Sequence, residues 1–313
     1  MIRHGKKRDR PGEQAGGEPG PAASRPRERR RRILRTTAVL PGLATVLNAL
    51  SGFAAIHFAT KDALGEARPE NLVASAWLIF LAMGFDMLDG RLARMTRRTS
   101  DFGGQLDSLA DVISFGAAPA VLMLRTVVMV LRGQLQQFPS LPPYLGVQSV
   151  ERAVWCVAAV YLACAALRLA RFNVENEPDE SAHMSFRGLP SPGAAAVIAA
   201  LVLLFEHLSE IDTGWRSATW LLVAVAVALP VATLLTALLM VSQFEYPHVI
   251  NQYVRGRRPF NYLVKLVLIA IAVLLEPFVT VAAVVTIYSL TGPVAAGWRG
   301  IRRRAQHEPA ETA

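Results

Sequence analysis

Cysteine and histidine are scarce in this chain of 313 residues, which has two Cys and six His. Cys156 and Cys164 fall within one apolar run and read as small buried apolar residues. No disulfide framework and no zinc-ligand spacing is present. The histidines are scattered, and none reads as a metal ligand. Charge is sparse as well, at 18% of residues against 52% apolar, and the mean hydropathy is positive. The apolar residues come in blocks of about 17–25, the length that crosses a ~30 Å hydrocarbon core. Such blocks exclude the two soluble domains that the length alone would allow. A secretory signal peptide is not expected, because the first apolar run is too long and has no small-residue cleavage site.

What charge there is has a pattern. The net charge of +9 is concentrated in the first residues and in alternate loops, as the positive-inside rule requires. Residues 1–35, ending in ERRRRILR, contain no apolar core and are expected to be a disordered cytoplasmic tail. Arg29 to Arg32 hold the tail inside, and each basic residue near anionic headgroups adds ~1 kcal/mol of attraction. Without aromatic interleaving, this run is not a nucleic-acid site.

The expected fold is all-α and polytopic, with eight membrane helices and both termini cytoplasmic. The spans run from about Thr37 to Thr60, Asn71 onward, Asp111 to Leu124, Arg152 to Leu169, Pro190 to Glu206, Ala218 to Val241, Tyr262 to Leu275 and Phe278 to Leu290. Residues 36–242 form a six-helix membrane domain. Residues 243–298 add a helical hairpin broken at Glu276-Pro277, and residues 299–313 form a second cytoplasmic tail.

The exception to the apolar pattern is the stretch FDMLDGRLARMTRRTSDFGGQLDSLAD, residues 85–111. It sets Asp86, Asp89, Asp107 and Asp111 at the edges of two apolar runs. One charge near a bilayer centre costs about 2.5–3.5 kcal/mol, so four together need a neutralising partner. Asp86 and Asp89 are three apart and Asp107 and Asp111 four apart, so each pair shares a helix face. Four hard oxygen donors without His or Cys suit Mg²⁺ or Mn²⁺. Gly90, Ala93, Gly103 and Gly104 leave room for a ligand against the backbone. Arg94 supplies a cation of fork geometry suited to phosphate. Carboxylate-held metal, phosphate and Arg together equip a site for phosphoryl transfer. Apolar run lengths put both Asp pairs several Å inside the cytoplasmic edge of the hydrocarbon. Thr45 and Asn48 on the first span are candidates to line the same cleft. Arg168 and Arg171, on one face of the fourth span, are candidates to hold a carboxylate or phosphate; positive-inside charge is the alternative reading of both.

Written as D-x2-D-G-x2-A-R-x8-G-x3-D-x3-D, the stretch resembles the signature of the CDP-alcohol phosphotransferases, with all eight fixed positions filled. The resemblance implies an integral membrane enzyme of phospholipid synthesis, active on the cytoplasmic side. It would be dependent on divalent metal, dimeric, and displace CMP from a CDP-linked lipid with an alcohol. It implies metal ligation by Asp86, Asp89, Asp107 and Asp111, with Asp111 as the base. It also implies CDP-lipid contacts from Gly90, Ala93, Arg94, Ser100 and Gly103. The flanks LPGLATVLNALSGFAAI, DSLADVISFGAAPA, ALRLARFNVE and FRGLPSPGAAAVIAAL are similar to those of members that form phosphatidylserine. The implied substrates are therefore CDP-diacylglycerol and L-serine. Gly42 departs from the pattern, since many relatives have Asn after the Pro.

Other readings remain at this level. Another acceptor, such as glycerol 3-phosphate, inositol phosphate or choline, would use the same motif. An Asp-rich prenyltransferase would not explain Gly90, Ala93, Arg94 and Gly103. A cation transporter could use the acids, but Arg94 and the glycines suit phosphate.

Overall fold

The computed structural model describes residues 25–61, 68–96, 101–135, 147–175, 188–210, 219–244, 246 and 260–306. The described residues form helices and no strands. In chain order they are α1 (Arg25–Thr60), α2 (Pro69–Thr96), α3 (Asp101–Asp111), a π-helical turn (Val112–Ala117) and α4 (Ala118–Leu135). Then follow α5 (Val147–Glu175), α6 (Ser191–Glu210), α7 (Thr219–Val241), α8 (Phe260–Leu275) and α9 (Pro277–Gln306). The chain is an all-α polytopic membrane protein. Among the described residues, six stretches are long and apolar enough to cross a bilayer: Gly42–Thr60, Pro69–Ala93, Phe102–Arg132, Gln148–Val174, Ser191–Ser209 and Pro277–Arg299.

The two other expected spans are α7 and α8. Of α7, the stretch with described side chains is the shorter apolar segment Val227–Val241. Helix α8 has 16 residues, a rise of ~24 Å, less than the ~30 Å core. Several boundaries also differ from the expected ones. Helix α1 already begins at Arg25, inside the tail expected to be disordered, because Arg is a good helix former and extends the helix without a break. Helix α2 runs to Thr96 through Gly90, so the first half of the motif lies in helix interior. Helix α9 is 30 residues long and passes Gly292 and Pro293, well beyond the expected end at Leu290.

Packing brings these helices around one small-residue core. Helix α1 lies along α2 and touches α3, the π turn and α4, while α5 packs on α4, α7 and the π turn. Small side chains allow this closeness: Ala55, Ala59, Ala76, Ala82, Ala118, Ala165 and Ala194 to Ala196 are all buried. The outward faces stay apolar, as with Leu50, Phe53 and Leu167, each more than half exposed. A bilayer would cover such side chains, which water would not favour.

Helix α1 and the π turn are in close contact. A Cβ on Gly52 would lie 2.6 Å from Ser114 Cα, so only glycine fits there. The Ser114 hydroxyl donates to the Asn48 carbonyl at 2.9 Å. The Tyr161 hydroxyl of α5 donates to the Phe115 carbonyl at 3.0 Å. A π turn leaves carbonyls displaced from the regular ladder, and here Tyr161 takes one of them. At the other end, Trp77 of α2 and His207 of α6 both pack on Phe278 near the start of α9. His207 Nε2 also lies 3.5 Å from Glu276 Oε2.

Candidate active site

Helical spacing places the acids. Asp86 and Asp89 lie on consecutive turns of α2, and Asp107 lies on α3, which packs across α1. One carboxylate oxygen from each of Asp86, Asp89 and Asp107 lies within 4.8 Å of the others. Two oxygens of this group, Asp89 Oδ2 and Asp107 Oδ1, are buried with no hydrogen-bond donor among the described residues. A buried unsatisfied polar atom costs about 1–3 kcal/mol, more when charged. Three converging carboxylates with two unclaimed oxygens fit a hard divalent cation, and they fit nothing apolar.

Asp111 stands outside that trio, at the end of α3 where the π turn begins. The charges of Asp86, Asp107 and Asp89 all act on it. The Asn48 side-chain amide donates to Asp111 Oδ1 at 3.2 Å, from a fully buried position on α1. One turn earlier, the buried Thr45 hydroxyl donates to Asp89. Thr45 and Asn48 of the first span therefore meet the acid cluster, one on each Asp pair.

The opposite charge comes from α5. That helix extends to Glu175, so Arg168, Arg171 and Asn173 lie in regular helix. The Arg168 charge acts on Asp86 and Asp111. Its Nη1 donates to Ser191 Oγ in the first turn of α6 at 2.7 Å, while its Nε is buried with no partner among the described residues. Arg171 is half-buried one turn further on. Asn173 and Ser108 share a hydrogen bond, 2.9 Å from Asn173 Nδ2 to Ser108 Oγ, which ties the end of α5 to α3 beside Asp107.

The small residues of the motif lie on α2 and α3. A Cβ on Gly90 would meet nothing within 4 Å, so the α2 surface next to Asp89 is open. Ala93 follows it on α2, and Gly103 lies one turn before Asp107 on α3. The Arg94 side chain and Ser100 lie outside the described residues. Sequence reasoning did not single out Ser191 or Ser114. Ser191 sits between Pro190 and Pro192, in a segment already read as a helix start, and its position as the first helical residue was the available signal.

The arrangement combines three acids around one point, a fourth acid held by an amide, a pinned guanidinium and an open helix face. It can hold a cation, a phosphate-bearing ligand beside it, and a hydroxyl to be deprotonated. The sequence pattern of the CDP-alcohol phosphatidyltransferase family matches residues 38–232. The chain is 30% identical to the CDP-diacylglycerol–serine O-phosphatidyltransferase of Mycobacterium leprae (strain TN), over 85% of this chain and 76% of that protein. It is also 30% identical to the Helicobacter pylori (strain ATCC 700392 / 26695) protein of the same name, over 67% of this chain and 72% of that one. With the archaetidylserine synthase of Methanothermobacter thermautotrophicus the identity is 34%, over 67% of this chain and 70% of that protein.

Proposed function

Because the chain belongs to the CDP-alcohol phosphatidyltransferase family, we propose that it transfers the phosphatidyl group of CDP-diacylglycerol to L-serine, releasing CMP. Family membership carries the reaction class, a transfer in phospholipid synthesis with divalent metal. The serine acceptor rests on the names of the relatives above, all of which concern serine lipids. The observation that supports the chemistry best is the convergence of Asp86, Asp89 and Asp107 with two donor-less oxygens.

In this reading Asp86, Asp89 and Asp107 hold the divalent cation, with Asp111 able to join them. When bound, Mg²⁺ or Mn²⁺ would neutralise the pyrophosphate and the charge of the departing CMP. The open face at Gly90, with Ala93 and Gly103, takes the cytidine, and Arg94 and Ser100 take the phosphates. Thr45 fixes the orientation of Asp89. Asp111, held by Asn48, accepts the proton of the serine hydroxyl. The serine oxygen then bonds to the phosphorus that carries the diacylglycerol, and that phosphorus loses its bond to the CMP oxygen. Arg168 or Arg171 holds the serine carboxylate, so that the hydroxyl faces Asp111. The acids sit at the cytoplasmic edge of the bilayer, where a lipid pyrophosphate lies, and the enzyme works as a homodimer.

The test is CMP release from CDP-diacylglycerol by the purified chain, with serine, glycerol 3-phosphate, inositol phosphate and choline compared, with and without chelator. Serine-dependent CMP release that chelator abolishes is the expected result. Product from another alcohol and none from serine overturns the serine reading and leaves the family intact.

A further inference from the structure

The matched family region ends at residue 232, yet α9 beyond it is fastened to the site. The fastening is at the first turn of α6. A Cβ on Gly193 would lie 3.4 Å from Tyr288 Cε1, so that turn is pressed against the Tyr288 ring. The Tyr246 hydroxyl donates to the Ser289 carbonyl at 3.0 Å. A Cβ on Gly292 would come within 2.8 Å of Tyr246 Cε2, so the absence of a side chain lets that ring close on α9. The Tyr246 and Tyr288 rings lie 6.0 Å apart at 50°.

The same turn of α6 carries Ser191, which holds Arg168. Arg168 from α5 and Tyr288 from α9 therefore converge on one turn, and the two groups interact electrostatically. Arg168 has one N–H fixed on Ser191 and a buried Nε–H unclaimed among the described residues. A guanidinium in that state is prepared for an anion. Its charge also acts on Asp86 and Asp111. An anion held there leaves the rest of a small molecule on the side of the acids. The neighbouring phenol adds an O–H donor for the anion, and its ring limits the room beside it.

We propose that Tyr288 is a specificity-determining residue, whose phenol and the Arg168 guanidinium together take the carboxylate of the acceptor, so that α9 completes the acceptor pocket. This deepens the reading of an amino-acid acceptor and rests on it. The ring excludes a bulky phosphorylated polyol, while the paired donors select a small carboxylate. The C-terminal extension thus contributes to the choice of alcohol rather than to the phosphoryl transfer.

Tyr288→Phe tests the hydroxyl alone, since Phe keeps the ring on Gly193. In the purified chain the KM for serine should rise about tenfold, as for loss of a hydrogen bond to a charged group. The kcat and the KM for CDP-diacylglycerol should stay within about twofold of the parent. Tyr246→Phe is the structural control: it loosens α9 by removing the Ser289 bond, and should lower Tm with little effect on the serine KM. An unchanged serine KM in Tyr288→Phe, or a fall in Tm like that of Tyr246→Phe, overturns the proposal. Should the parent take another alcohol, the serine reading fails by itself. A raised KM for that alcohol in Tyr288→Phe would still support Tyr288 as an acceptor residue, and an unchanged one would remove it.

Discussion

Asn48 on α1 and Asp111 on α3 are 63 residues apart in sequence, and the amide of one donates to the carboxylate of the other at 3.2 Å. The same Asn48 accepts the Ser114 hydroxyl on its main-chain carbonyl. One residue thus touches both the last acid of the cluster and the π turn that follows it. The first span therefore lies against the acid cluster, and two of its polar residues, Thr45 and Asn48, are hydrogen-bonded to it.

Asn48→Ala should lower kcat with serine by about tenfold, the effect of losing a hydrogen bond to a charged group. The KM for CDP-diacylglycerol should change little, because Asn48 contacts Asp111 rather than the trio. Steady-state kinetics of the purified variant decide this. An unchanged kcat would mean that Asp111 needs no positioning from α1.

Asp111→Asn separates the proposed base from the proposed cation ligands. Asn is isosteric and still meets Asn48, but it takes no proton. Turnover should vanish while CDP-diacylglycerol binding persists. Asp89→Asn or Asp107→Asn should instead weaken lipid binding that depends on Mg²⁺ or Mn²⁺. Binding of CDP-diacylglycerol to each variant, measured by calorimetry, distinguishes the two classes. Normal turnover in Asp111→Asn would eliminate the base role.

Chelation should abolish CMP release, and Mg²⁺ or Mn²⁺ should restore it. The trio of carboxylates within 4.8 Å also predicts a stability effect. A cation at a hundred times its dissociation constant stabilises the fold by ~2.7 kcal/mol, if the unfolded chain does not bind it. Tm measured with and without EDTA should therefore differ by a few degrees. Full activity after exhaustive chelation would remove the cation from the account.

Much of the site was legible because its geometry is local. Three-residue and four-residue spacings within a helix place Asp86 beside Asp89 and Asp107 beside Asp111 without any knowledge of the fold. The polar residues Thr45 and Asn48 stood out against an apolar span. The π turn did not, because VISFGA reads as ordinary apolar helix. Its widening goes with tertiary partners, the Asn48 carbonyl and the Tyr161 hydroxyl. Tyr288 was hidden for the same reason: a Tyr in a membrane helix is unremarked until Gly193 and Arg168 are seen beside it. The reach of α2 past Gly90 was left open by the sequence as well. One glycine costs a helix only ~1 kcal/mol, which Leu92, Ala93 and Arg94 offset.

Two glycines of this chain should respond in opposite ways to an added methyl group. At Gly52 a Cβ would lie 2.6 Å from the Ser114 main chain, and neither partner is a flexible tip that can move aside. Gly52→Ala should therefore push α1 off the π turn and destabilise by about 1–3 kcal/mol, the usual range for overpacking. It should also lower kcat, since the same shift carries Asn48 away from Asp111. At Gly90 a Cβ meets nothing within 4 Å, and alanine is the better helix former. Gly90→Ala should fold as well as the parent or slightly better. Its methyl group projects from the open surface beside Asp89, where the cytidine is proposed to lie, so the KM for CDP-diacylglycerol should rise several-fold while Tm holds. Thermal melting and lipid-substrate kinetics on the two variants separate these outcomes. A Gly90→Ala enzyme with unchanged lipid KM would show that the nucleotide lies elsewhere, however well the acids hold their cation.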